Sequence, residues 1–167
     1  MTTAAGISVT TVSTDQLAPL GFKLTVPDGS LQGLQVWTYV KAGEALSAGR
    51  ICMFKDGTSN YEVMLTTESG VSIKETRARC VGVAQHTVAS GSYGFVLTTG
   101  FGTIQAGAGA ALTVDTGITP GGTDVTTAGT ALPFASSAIG AAAVIGHNTG
   151  AEIATSATGV LYIDCGS

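Results

Sequence analysis

From Cys80 to Ser167 the chain contains no lysine or arginine. All seven basic residues, Lys23, Lys41, Arg50, Lys55, Lys74, Arg77 and Arg79, come earlier. A phosphate backbone is held by several cationic side chains that release its counterions. The second half therefore cannot be a nucleic-acid surface, and no nucleic-acid partner is expected. Charge is scarce throughout, at 11% of 167 residues, against about 25% in an ordinary soluble domain. Exposed helix faces built from Lys and Glu are thus not on offer. Cysteine is limited to Cys52, Cys80 and Cys165, with no CxxC pair. This spacing excludes a zinc ribbon or a thioredoxin-like motif. Each thiol sits beside apolar residues, so buried free cysteines made in a reducing cytosol are expected. Long apolar runs are missing too. The longest, Ala138 to Gly146, falls well short of the roughly 20 residues a membrane-spanning helix needs. The first residues lack a basic segment followed by an apolar one, so they do not read as a secretory leader, and no membrane partner is expected.

Catalytic patterns are absent as well. The chain has no Gly-x-Ser-x-Gly elbow, Walker loop, EF-hand or HExxH. Its two histidines, His86 and His147, have no carboxylate or thiolate at metal-ligand spacing. They read as loop or strand-end residues at equivalent places in a possible repeat. Glu62 and Glu68 are neighbouring acids, but no aromatic cleft accompanies them as glycoside hydrolysis requires. The expectation is a protein that is not an enzyme and carries no cofactor or metal.

What the chain does have is strand and turn signal. There are 24 glycines among many Thr, Ser and Ala residues, which are poor or neutral helix formers apart from Ala. Residues 1–20 read as an extended N-terminal arm or edge strand, with a short alternation at Ile7-Ser8-Val9-Thr10. Phe22 to Val26 alternates and stops at Pro27-Asp28-Gly29, a turn sequence. Leu34 to Val40 is a strand that puts Leu34, Val36 and Val40 on one face and Trp37 and Tyr39 on the other. Ile51–Phe54 and Tyr61–Leu65 flank a hairpin turn. Val71 and Ile73, Cys80–Ala84, Gly94–Thr98, Phe101–Gln105 and Gly159–Cys165 supply further strands. A single short helix near 136–143, capped by Ser136 or Ser137, is the most that composition allows. The fold class predicted is all-β, a small β-barrel or β-sandwich with an N-terminal arm.

An internal echo suggests that residues 21–167, read as one β domain, contain two related halves, about 34–104 and 105–165. Ala42-Gly43-Glu44-Ala45-Leu46-Ser47-Ala48-Gly49 is matched by Ala106-Gly107-Ala108-Gly109-Ala110-Ala111-Leu112-Thr113. Val81-Gly82-Val83-Ala84-Gln85-His86-Thr87 is matched by Val144-Ile145-Gly146-His147-Asn148-Thr149.

The segment Cys80-Val81-Gly82-Val83-Ala84, followed by Ala89-Ser90-Gly91-Ser92-Tyr93-Gly94-Phe95-Val96-Leu97-Thr98-Thr99-Gly100, resembles the small capsid decoration, or cement, proteins of tailed phages. Ala42 to Arg50 is similar to that family's approach to a strand. The resemblance covers roughly residues 40–120, and the stretch from about 121 to 167 departs from the shortest members. It implies a β-barrel or β-sandwich on the exterior of a virion, made in the host cytoplasm. The implied partners are the major capsid protein and other copies of the chain, as trimers by preference or dimers. Capsid-contact candidates are the basic cluster Lys74, Arg77 and Arg79 together with Thr2, Ile7 and Val9 in the arm. Trp37 and Tyr39 are candidates for a subunit interface or for stacking on a glycan. In that alternative, a glycan-binding or adhesive module of a fibre, Tyr61 and Tyr93 would join them.

Overall fold

A computed structural model describes residues 6–28, 33–55, 60–66, 80–108, 111–121, 128–134 and 144–165. They form ten strands in one sheet: β1 (Lys23–Asp28), β2 (Gly33–Ala42), β3 (Ile51–Phe54), β4 (Glu62–Leu65), β5 (Cys80–Ala84), β6 (Tyr93–Gln105), β7 (Thr116–Gly121), β8 (Thr130–Pro133), β9 (Gly146–Asn148) and β10 (Thr158–Asp164). The all-β class is as expected. The helix expected near 136–143 and the strand around Val71 and Ile73 lie outside the described residues.

The sheet curls on itself twice. β2, β4, β3, β5 and β6 follow one another as neighbours, and β6 pairs back onto β2. This closes a first ring. β6, β10, β9, β7 and β8 follow in the same way, and a parallel bridge from Ala106, just beyond β6, to Ala131 on β8 closes a second. β1 lies outside, antiparallel to β2. The 13-residue β6 is common to both rings. Its first part pairs with β2 and β5, and its residues from Thr99 to Gln105 pair with β10. The change of ring falls at Gly100, whose φ of 118° lies where an L side chain is strained.

Each ring leaves β6 or β2 through a turn that is bonded to a second turn. Leu46 and Val88 exchange both backbone hydrogen bonds at 2.9 Å; Leu112 and Ile153 do the same at 2.9 and 3.1 Å. The Gly49 N–H donates to Ala84 O at 2.7 Å, and the Asp115 N–H donates to Asn148 O at 2.8 Å. These bonds set Ala84 opposite Asn148 in the comparison of the rings. His147 then corresponds to Val83, so the two histidines do not occupy equivalent places, contrary to the sequence reading, which aligned them three residues out of step.

A ring of five strands has a narrow interior, which small side chains fill. The first ring's interior takes Val40, Ala42, Cys52, Val63, Leu65, Val81, Ala84 and Val96, drawn from all five of its strands. The second cluster runs from the outer side of the first ring (Trp37, Tyr39, Ile51, Phe95, Leu97) into the second (Ile104, Leu112, Ile118, Ile145, Leu161, Ile163). Both faces of β2 are therefore covered from Trp37 to Val40. Each such fully buried aliphatic contributes about 1.5–3 kcal/mol of burial free energy.

Close approach explains one glycine in each ring. A Cβ at Gly82 on β5 would sit 2.6 Å from Leu97 O, and a Cβ at Gly146 on β9 would sit 2.5 Å from Tyr162 O. No side chain fits at either distance without backbone movement.

Candidate functional site

Of the sequence candidates, the described ones, Ile7, Val9, Trp37 and Tyr39, belong to or pack against one apolar cluster. Thr2, Lys74, Arg77 and Arg79 lie outside the described residues. Ile7 is buried in the second cluster, and Val9 packs against it. Ile7 therefore anchors the N-terminal segment to the domain, and its side chain does not face an outside partner. The same segment is tied down again at Ser13, which exchanges backbone hydrogen bonds with Tyr93 at 3.0 and 2.8 Å. Further along, the Leu17 N–H donates to the Tyr39 hydroxyl at 3.0 Å.

Trp37 and Tyr39 are 6% and 1% exposed, so neither presents a ring face for a glycan. The Trp37 Nε1–H donates to Gln35 Oε1 at 3.2 Å. Tyr39 is stacked at 6.3 Å on Tyr93 and lies edge-on at 5.0 Å to Phe95. Tyr61 sits edge-on to Phe54, 5.1 Å away. These rings are packing elements.

The titratable groups are similarly committed. Glu62 accepts from Lys55 Nζ at 2.7 Å and from Lys41 Nζ at 3.3 Å. Hydrogen bonding to Lys55, then Lys41, holds its carboxyl below the ordinary value despite partial desolvation. Burial pushes the Cys52 and Cys80 thiols up to about 12, which keeps them protonated and poorly nucleophilic. The third, Cys165, is buried as well and forms no disulfide, so all three thiols are buried and unbridged as the sequence suggested. His86 is half-buried; burial lowers its pKa, and its Nε2 has no hydrogen-bond partner among the described residues. Among the described residues no three His, Cys, Asp or Glu side chains converge as metal ligands would.

One concave surface does stand out, on the second ring. Val160 and Tyr162 point outward from β10, 44% and 37% exposed, between the buried Leu161 and Ile163. Tyr162 lies opposite Phe101 of β6, with the rings edge-on at 5.4 Å. Beside them is a groove of about 590 Å³, walled by Phe101, by the connection 149–154 and by residues 157–160. Its lining is mainly apolar, with Glu152 as the one ionisable side chain.

The connection that forms the rim is held from below by Asn148, which is fully buried. Its Nδ2 donates to the carbonyl oxygens of Leu112 at 2.8 Å, Thr113 at 3.3 Å and Ala151 at 3.1 Å, and its Oδ1 accepts from the Gly150 N–H at 3.1 Å. A buried amide with all these bonds made fixes a loop in one conformation. Sequence reasoning did not single out this surface. The signal was present in the alternation Gly159-Val160-Leu161-Tyr162-Ile163, which places Val160 and Tyr162 together on one face.

No protein-family model matches the chain, and no curated protein matches it. Among solved structures, the head fiber gp8.5 N base of bacteriophage phi29 is similar at 19% identity, over 80% of this chain and 97% of that one, with a TM-score of 0.49. A likeness of that degree assigns no function to this chain.

Proposed function

We propose that the chain is a structural virion protein that binds the exterior of an assembled phage capsid and stabilises it. One observation supports this reading above the others. The residues that resemble cement proteins, Cys80–Ala84 and Ala89–Gly100, fold as a single arch, β5–turn–β6, and their glycines sit where the backbone needs them. Gly82 is pressed against Leu97 O, and Gly91 holds a φ of 80° in the turn. A rigid, charge-poor body of closed rings suits this role, because charged groups are depleted from the cores of protein interfaces.

The mechanism is linkage. A protein that binds only the expanded shell stabilises that state in proportion to its occupancy. Many copies per particle, acting as trimers or dimers on the major capsid protein, add their effects through avidity. The reading is tested by mixing the purified protein with expanded heads, lacking it, of the phage whose genome encodes it. The expected result is saturable co-sedimentation and heads that open at a higher temperature. Protein that stays in the supernatant at saturating concentration overturns the reading.

A further inference from the structure

We infer that His86 is a proton-sensitive latch for the N-terminal segment: a proton taken up by its imidazole loosens residues 7–13 from the first ring. This goes beyond the capsid reading and does not rest on it.

The latch is built at Gly94, near the start of β6. A Cβ placed there would lie 3.2 Å from Val88 Cγ2, 3.6 Å from His86 Nε2 and 3.7 Å from Thr11 O. The glycine thus leaves a small space that the imidazole, Val88 and the backbone of the segment close together. His86 Nε2 is shut off from water there and bonds to nothing among the described residues, Thr11 O included. A neutral imidazole tolerates this, because its one proton can sit on Nδ1. An imidazolium carries an N–H on both nitrogens, and the one at Nε2 would be buried and unpaired. Lifting the segment lets water reach it. The segment is tied at one end by the buried Ile7 and at the other by the two backbone bonds between Ser13 and Tyr93. Thr14 to Leu17, which follow, are exposed. Neighbouring charges do not answer the proton. The ionisable groups on the elements around His86 are Asp15 on the segment, Tyr93 on β6, Lys41 on β2, and Glu44 and Arg50 in the turn that pairs with Val88. Lys41 holds Glu62, Glu44 Oε1 accepts from the Leu65 N–H at 2.6 Å, Arg50 donates to Ala128 O, and Asp15 is exposed. Burial alone moves the His86 pKa, downward from its ordinary 6.5.

The sign follows from linkage. Above 6.5 the imidazole is neutral whether the segment is seated or lifted, and the hold has its full strength. As pH falls through 6.5 the lifted form takes up the proton first, and the hold weakens until pH passes the lower value of the seated form. The whole loss equals the ratio of the two acid constants, and lifting the segment by other means must raise the His86 pKa by the same factor.

The test follows the assigned His86 imidazole and the amides of residues 7–13 by nuclear magnetic resonance, in the full-length protein, across the histidine range of pH. The wild-type imidazole should titrate below 6.5. Ile7→Ser removes the apolar anchor, and Ser13→Pro removes the N–H that bonds to Tyr93 O. Each should raise the His86 midpoint towards 6.5. Amide exchange in residues 7–13, corrected for its intrinsic pH dependence, should quicken in acid by the ratio of the seated and unseated acid constants. That response should vanish in His86→Gln, while Leu161 and Ile163 in the second ring keep their protection in every protein. Where Ile7→Ser fails to fold, Ser13→Pro carries the comparison. A His86 midpoint that unseating the segment does not move overturns the inference. So does a quickening that persists in His86→Gln, or exchange that slows in acid because the new Nε2–H has found Thr11 O.

Discussion

In the first ring β2 and β4 are joined by a parallel ladder, Lys41 opposite Glu62 and Ala42 opposite Val63; the matching parallel contact in the second is the bridge between Ala106 and Ala131. At corresponding corners, Ala84 packs into an apolar interior while Asn148 ties carbonyl groups together with its amide. The turn after Leu46 reaches positive φ at Gly49 and the one after Val88 at Gly91; their counterparts are Asp115 and Ser156, at 59° and 60°. The same backbone path is thus held by apolar packing in one place and by a buried polar side chain in another. The left-handed turn residue is required by the path, whereas glycine at that residue is only the least strained choice.

The comparison is most exposed to failure at Gly82 and Gly146. Alanine at either should cost about 3 kcal/mol or more, since the Cβ would meet a carbonyl oxygen that the ladder fixes. Urea unfolding of the two variants should give similar losses; a large loss at one alone would break the correspondence of the rings. Next comes Asn148→Ala, for which about 2 kcal/mol is expected from carbonyls left without donors. The same denaturation measurement checks it, and amide exchange should quicken in residues 149–154 while the first ring keeps its protection. A smaller pair sharpens the turn argument. A Cβ at Gly91 would meet nothing within 4 Å, so Gly91→Ala carries the backbone term alone, about 1 kcal/mol of destabilisation. Ser156→Gly should stabilise by about 0.5–1 kcal/mol, and thermal melting of the two should show opposite signs.

The smallest effect concerns the first ring only. Because Lys55 and Lys41 lower the Glu62 pKa, the pair's contribution is present above the unfolded value of 4.5 and is lost as pH falls below it through the folded value. Both lysines are more than a third exposed or close to it, at 41% and 35%, so the loss should be under about 1 kcal/mol. Glu62→Gln should remove that slope from a stability-against-pH curve.

Where an apolar residue alternates with a polar one, the sequence announces the strand. β1, β2 and β10 are legible in this way, the β3–β4 hairpin by the turn sequence between two apolar runs, and β5 as a short apolar run. β7, β8 and β9 were not, because TGITPG, TALP and GHN are short and carry Gly or Pro, which in isolation signal turns. Gly94–Thr98 and Phe101–Gln105 read as two strands because Gly100 interrupts them; in the fold both belong to β6, with Gly100 at positive φ between them. Trp37 and Tyr39 looked like a platform because alternation puts them on one face, yet no single-strand pattern tells that a second cluster covers that face. The groove escaped for a related reason. Its walls come from β6, β10 and the 149–154 connection, and only closure of the second ring brings them together.

The strand shared by the rings also has a mechanical consequence. A chain with two bodies usually joins them by a linker, and a linker gives way before either body does. Here the join is β6 itself, bonded to β2 and β5 along its first part and to β10 along the rest. A pull that separates the rings must shear several hydrogen bonds at once, in parallel, before any slack appears. The two ends of the molecule are therefore coupled as the ends of a stiff strut, and a load taken up at one ring reaches the other undiminished.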